Sequence, residues 1–235
     1  MARDVALHRA IIGEFGHRLD SESLVLDFGC GDEGEMVIAY RQAGFQAFGA
    51  DLRIVRASEW LRVIPGDSYR LPFPDATFDF LYSNSVLEHV EDLDLALGEM
   101  HRVLKPSGVA LHLFPPPGRP IEAHVFVPFG GILRGRAWLL LWALAGVRNS
   151  FQRNVGIRER ARRNYAYLHE KTFYRTKREL ERLFRRYFHR VTFADRQMIR
   201  HSYGKAKYLS PYAERVGFIA RCYGSLHQRC LFCEK

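Results

Sequence analysis

Cysteine is scarce in this chain: four occur in 235 residues, Cys30 inside a glycine loop and Cys222, Cys230 and Cys233 near the end. That is too few, and too unevenly placed, for a disulfide framework, and the usage fits a reducing cytoplasm. A continuous apolar run at the N-terminus is missing as well, because Arg3, Asp4, His8, Arg9 and Glu14 interrupt Met1–Phe15, so a secretory signal is not expected. The most apolar stretch, Ala137–Val147, has 11 residues, against the roughly 20 needed to span a bilayer. Internal repeats and low-complexity tracts are lacking too. Residues 134–190 contain no Asp and only four Glu against 16 Lys and Arg; this segment carries +12 of a total of +9, leaving −3 for the rest. Solvated helix faces are the ordinary cause of such a run, and an anionic partner is the alternative.

What is present is 47% hydrophobic residues, enough for one α/β domain with an elaboration. Short β-like runs occur at Leu24–Phe28, Phe45–Ala50, Arg62–Pro65, Phe78–Ser83 and Val109–Phe114, mostly with helical stretches between them. Strands separated by helices imply parallel strands with right-handed crossovers. A helix is expected over Asp92–Leu104, where Leu93, Leu97, Met100, Val103 and Leu104 recur at helical spacing before Lys105-Pro106-Ser107-Gly108 stops it.

Pro115-Pro116-Pro117-Gly118 then opens about fifty residues that no simple crossover requires, which predicts an insertion after the fifth strand. Regular structure resumes at Thr176-Lys177-Arg178-Glu179, a capping box, followed by Leu180, Leu183, Phe184, Tyr187 and Phe188 on one helical face. Strands are expected at Arg190–Ile199 and Gly217–Tyr223, the two forming the antiparallel pair that closes the sheet. The predicted class is thus α/β, a doubly wound, mostly parallel seven-stranded sheet. Residues 1–114 form the ligand-binding half, 115–170 a substrate-binding cap and 171–235 the remainder of the same domain.

Directly after the first strand comes Asp27-Phe28-Gly29-Cys30-Gly31-Asp32-Glu33-Gly34, opening a helix. Glycines there let the backbone approach a ligand at a helix N-terminus. Gly29, Gly31 and Gly34 also fit the G-x-G-x-x-G of a nicotinamide site, which in isolation is a weak signal. Three further features decide between the two: Asp27 two residues before the first glycine, Asp51 ending the second strand, and Gly66–Asp79 running into the fourth. With these the chain resembles the class I S-adenosylmethionine (SAM)-dependent methyltransferases, in particular the type 11 subgroup, over residues 24–114. The resemblance implies that SAM is bound and S-adenosylhomocysteine (SAH) released. Asp27 would orient the loop and the cofactor's amino group, Gly29 and Gly31 would pass under its methionine part, and Asp51 would accept from both ribose hydroxyls. Asp67 would accept the adenine amino hydrogen. Cys30, Leu52, Ser68 and Ser83 adjoin these positions and complete the expected cofactor site. One departure is that the family's third glycine usually lies one place nearer than Gly34.

At the exit of the fourth strand, Ser83-Asn84-Ser85 replaces the Asn/Asp-Pro-Pro-aromatic of enzymes that methylate base amines. The sulfonium already activates its methyl group, so the protein chiefly aligns the attack. A hydroxyl nucleophile still benefits from a base, and His89, His124 and His169 are the candidates. His89, in Leu87-Glu88-His89-Val90, reads equally as a wall of the cleft. Cys230-Leu231-Phe232-Cys233, with Cys222 and His227 nearby, contains one C-x-x-C but no second pair, so reduced thiols on a C-terminal tail are expected and no metal. The expected activity is methylation of a hydroxyl, or an amine, of a small molecule, glycan or lipid-linked intermediate. The alternatives are an RNA methyltransferase, favoured by the +12 segment, a non-catalytic SAM-binding scaffold, and a nicotinamide oxidoreductase. The expected location is cytoplasmic, with a peripheral contact of residues 134–163 on the anionic inner membrane surface.

Overall fold

The computed structural model describes residues 1–55, 58–66, 69–203 and 205–235. Its frame is a seven-stranded sheet. Strands β1 (Leu24–Phe28), β2 (Gln46–Asp51), β3 (Leu61–Val63), β4 (Phe78–Asn84) and β5 (Leu104–Phe114) run parallel, and β6 (Arg190–Phe193) and β7 (Arg229–Glu234) complete it in the order β3-β2-β1-β4-β5-β7-β6. β7 is antiparallel to both β5 and β6. The order reverses between β1 and β4, and ligands of doubly wound sheets bind outside the carboxyl ends of the strands at such a switch point.

Helices α1 (Ala2–Gly13), α2 (Glu35–Gln42), α7 (Asp195–His201), α8 (Ser210–Arg215) and α9 (Gly217–Leu226) contribute to a core on one face of the sheet, with Ile11, Tyr40, Phe80, Leu111 and Phe232 buried in it. The other face is covered by α3 (Leu93–Val103) and α6 (Lys177–Phe184), through Leu97, Met100, Leu180 and Phe184. Both helices begin as the sequence predicts. The Asp92 side chain accepts from the amide of Leu95, and Thr176 and Glu179 cap one another's amides at 3.2 and 2.7 Å. β5 starts at Leu104, earlier than expected, with a register irregularity opposite Phe78–Phe80.

Two strand expectations are corrected. Gly217–Tyr223 lies in α9, and the closing strand is Arg229–Glu234. A short apolar run is ambiguous by periodicity, and the true strand lacks alternation because both its faces are covered. The stretch Arg190–Ile199 is strand only to Phe193 and then turns into α7. The Cys230 and Cys233 thiols are consequently not on a tail. Both are fully buried in β7, and their odd spacing sends one to each face of the sheet, so they cannot share an ion.

Residues 115–170 carry α4 (Arg136–Leu144) and α5 (Ile157–Glu170), which pack on one another over a separate small core of Val125, Val127, Leu139 and Leu168. Many of the segment's cations are tied down. Arg160 is buried and donates to the carbonyls of Ala143 and Val155, Arg134 donates to those of Gly131 and Leu168, and Arg162 and Arg163 share Glu159. Among the described residues, no helix is long and apolar enough to cross a membrane.

Candidate active site

The loop after β1 turns through glycines with φ of +77° at Gly29 and +71° at Gly31. The Gly29 amide donates to the carbonyl of Ala50 at 2.8 Å, which ties the loop to the end of β2. The Gly31 amide donates to the Asp51 carboxylate, also at 2.8 Å. A side chain on Gly29 would strike Val86, whereas one on Gly31 would meet no atom within 4 Å. Gly31 therefore faces open space, and that space is a cleft of about 720 Å³ lined by Asp27, Gly29, Cys30 and Gly31 among others. Asp27 is 4% exposed, and among the described residues its carboxylate accepts no hydrogen bond. Burial, reinforced by the Asp51 charge, pushes its pKa up to about 7. Burial likewise pushes the Cys30 thiol up, which disfavours the thiolate.

Beyond Asn84, the chain leaves β4 through a turn that brings Glu88 and His89 against Glu122, His124, Tyr167 and Tyr174 of later segments. His89 Nδ1 bonds the carbonyl of Lys171 at 2.6 Å, and His124 Nδ1 bonds Glu122 Oε1 at 2.8 Å. The two Nε2 atoms face each other at 3.1 Å. Burial would raise the Glu122 carboxyl, but bonds from His124, the Val125 amide and the Tyr174 hydroxyl hold it at about 2. Glu88 has no such donors, and burial pushes it up to about 7.

The family model for the methyltransferase domain matches residues 26–112. The sterol 24-C-methyltransferase of Eremothecium gossypii is 34% identical over 103 residues, which are 39% of this chain and 28% of that protein. The malonyl-[acyl-carrier protein] O-methyltransferase of Erwinia billingiae is 39% identical over 93 residues, 37% of each chain. The similarity thus spans 28% and 37% of the length of these two curated relatives. A SAM-dependent methyltransferase structure from Mesorhizobium loti superposes over 100% of this chain and 98% of its own, with a TM-score of 0.55 at 16% identity, which extends the fold beyond the matched region. Residues 26–112 thus match the methyltransferase-domain family, and the whole chain shares the fold of a SAM-dependent methyltransferase.

SAM fits the residues of this methyltransferase domain. An unpaired buried carboxylate at Asp27 suits an ammonium group, and the backbone at Gly31 leaves room beside it. Asp51 stands at the carboxyl end of β2, where its oxygens take the amides of Gly31 and Arg53 and keep lone pairs for hydroxyl donors. Leu52 beside it is exposed. Ser83 differs from expectation: it is fully buried and its hydroxyl bonds His112 Nδ1 at 2.8 Å, while Asn84, the next residue, lines the cleft. Alternation along β4 explains the exchange. Asp67 and Ser68 lie outside the described residues.

Of the three histidine candidates, His89 and His124 are brought together. His169 is apart from them, exposed at the end of α5, with Nδ1 bonded to the Tyr165 carbonyl and its ring stacked on Tyr165. The far wall of the cleft also departs from expectation. No residue of 115–170 lines it; instead Asp4 and His8 of α1 join Met198, Tyr203, Tyr223 and His227. His8 is fully buried, bonds the Tyr40 hydroxyl at 2.7 Å, and is held neutral by burial, which drops its pKa to about 3. The helical spacing of Val5, His8, Ile11 and Ile12 carried a signal for α1, but nothing in it pointed to a cleft. Glu88 and Glu122 were equally unmarked, although Glu88 adjoins His89 and Glu122 lies two residues before His124.

Proposed function

We propose that the protein transfers the methyl group of SAM to a hydroxyl, or an amine, of a small molecule, glycan or lipid-linked acceptor. The observation that carries this reading is the Asp27–Gly31 cradle opening on the cleft, with the Asp51 carboxylate fixed to it. Asp27 takes the cofactor's ammonium, and Asp51, with Asp67 and Ser68, takes the nucleoside. The pair His89–His124 does not line that cleft; oriented by the Lys171 carbonyl and by Glu122, as a base is ordinarily held by a third group, it takes the proton of an acceptor that reaches beyond the cleft lining. Residues 115–170 act through this pair, to which they supply His124. The curated relatives named above act on a sterol carbon and on a carrier-bound malonyl group by their names, which agrees with an acceptor that is not a nucleic acid.

Conversion of SAM to SAH, screened over hydroxyl and amine acceptors, tests the reading. Turnover with one acceptor class is expected, with kcat lowered on the order of 10²- to 10⁴-fold in His124→Ala. SAH binding without turnover on any acceptor would favour a scaffold, and turnover confined to RNA, weakening steeply with salt, would favour the RNA enzyme.

A membrane contact is a second element of this proposal. Leu141 and Leu144 of α4 are 52% and 62% exposed, beside the cations Arg136 and Arg148. Such an edge suits an anionic interface. Co-sedimentation with anionic liposomes is expected, diminishing as salt rises and lost in Leu144→Asp; equal sedimentation by the variant would remove α4 from the contact.

A further inference from the structure

Glu88, His89 and His124 bring three Lewis-basic atoms together without a donor among them. The Lys171 carbonyl can only accept, so His89 carries its proton on Nδ1; the ionised Glu122 can only accept, so His124 does the same. With those protons on Nδ1, the two Nε2 atoms face one another at 3.1 Å as lone pairs. Glu88 Oε1 lies 3.9 Å from each of these nitrogens. The Glu88 residue is 2% exposed, and neither of its carboxylate oxygens has a hydrogen-bond partner. A buried carboxylate left in this way is costly unless something positive joins it. One extra proton could bridge the two imidazoles, but it would leave Glu88 unpaired.

We propose that Glu88, His89 and His124 form a site for a divalent first-row transition-metal ion. Among the described residues these three are the one group of His, Cys and acidic side chains with the right proximity. A point equidistant from the three atoms lies about 2.1 Å from each, given edges of 3.1, 3.9 and 3.9 Å, which matches bonds of about 2.0–2.2 Å to imidazole and carboxylate. Two nitrogens and one oxygen suit zinc, cobalt or iron and disfavour magnesium and calcium, which prefer oxygen. Each histidine donates its other ring nitrogen to a carbonyl or carboxylate, the outer arrangement that orients metal-bound imidazoles. Three protein ligands leave a coordination position for an exogenous group, and the Tyr167 ring borders both histidines. The inference rests on the proposed function only for the use of that position. With an ion present, the pair would favour a deprotonated acceptor hydroxyl by coordination instead of by accepting its proton.

The test uses the full chain, stripped with a chelator and titrated with Co²⁺, with SAH affinity measured on the same samples. One equivalent of Co²⁺ is expected, with visible d–d absorption that Zn²⁺ abolishes by displacement and Mg²⁺ leaves unchanged. Glu88→Gln removes the unpaired charge, keeps the shape and should fold, yet bind Co²⁺ at least tenfold more weakly. Glu122→Gln, which alters the acceptor behind His124 and no ligand atom, should weaken binding roughly 10- to 100-fold. Wild type without absorption or retained Co²⁺, or Co²⁺ affinity equal in wild type, Glu88→Gln and His124→Ala, would overturn the site. Cobalt binding that depends on these residues supports it whether or not SAH binds, so this inference and the cofactor reading fail separately.

Discussion

Gly29→Ala is expected to lower SAH affinity at least about a hundredfold, or roughly 3 kcal/mol. Gly29 adopts a φ of +77°, which costs a residue bearing a Cβ about 1–2 kcal/mol. The new methyl would also lie 2.3 and 2.8 Å from the two γ-carbons of Val86. Val86 has little freedom to yield, because it is β-branched and its carbonyl accepts from the His89 amide at 2.8 Å. The loop has to move instead, and it can do so only by breaking the bond from the Gly29 amide to Ala50 and dragging Gly31 from Asp51. Calorimetry with SAH, alongside thermal unfolding, checks this; full affinity in the variant would mean that the loop is not the cradle.

The second large effect concerns Asp27 and pH. Its folded-state pKa of about 7 lies above the ordinary 3.8, burial being the main cause and Asp51 the lesser one, so the fold favours the protonated form. The cost of ionising it is absent below pH 4, grows through the window from about 4 to 7, and at most reaches about 4 kcal/mol above it. Asp27→Asn should therefore unfold at higher temperature than wild type at pH 8 and at nearly the same temperature at pH 4. Binding should move in the opposite sense. An ammonium beside Asp27 favours the carboxylate, so wild-type SAH affinity should rise about tenfold from pH 6 to pH 8. The variant should be flat over that range and weaker at pH 8 by about 1–3 kcal/mol. A wild-type affinity independent of pH would separate Asp27 from the cofactor.

The cofactor half of the site was legible because a contiguous pattern encodes it: Asp27 to Gly34 is one strand-to-helix turn, and Asp51 ends the adjacent strand. The capping box at Thr176 and the apolar stripe of α3 were legible for the same reason, since each is set by neighbours within a turn. The closing strand was not. Arg229–Glu234 lies between β5 and β6 with both faces covered, so it shows no alternation, while the amphipathic run at Gly217 mimicked a strand. Ser83 and Asn84 were confused because a one-residue shift along a strand exchanges the two faces of the sheet. The cluster at Glu88, His89 and His124 depends on tertiary contact across 35 positions, with no spacing motif to announce it. The arginine run read as a free basic surface until the folded chain showed Arg134 and Arg160 bonded to buried carbonyls.

Isothermal titration of wild type and Asp51→Ala with SAH tests the cofactor assignment most directly. The geometry predicts one SAH per chain at micromolar affinity, no binding of NAD, and a loss of roughly 1–3 kcal/mol in the variant, which forfeits both the hydroxyl acceptor and the bond that holds Gly31. Unchanged SAH affinity in Asp51→Ala, or NAD binding in preference to SAH, would contradict it.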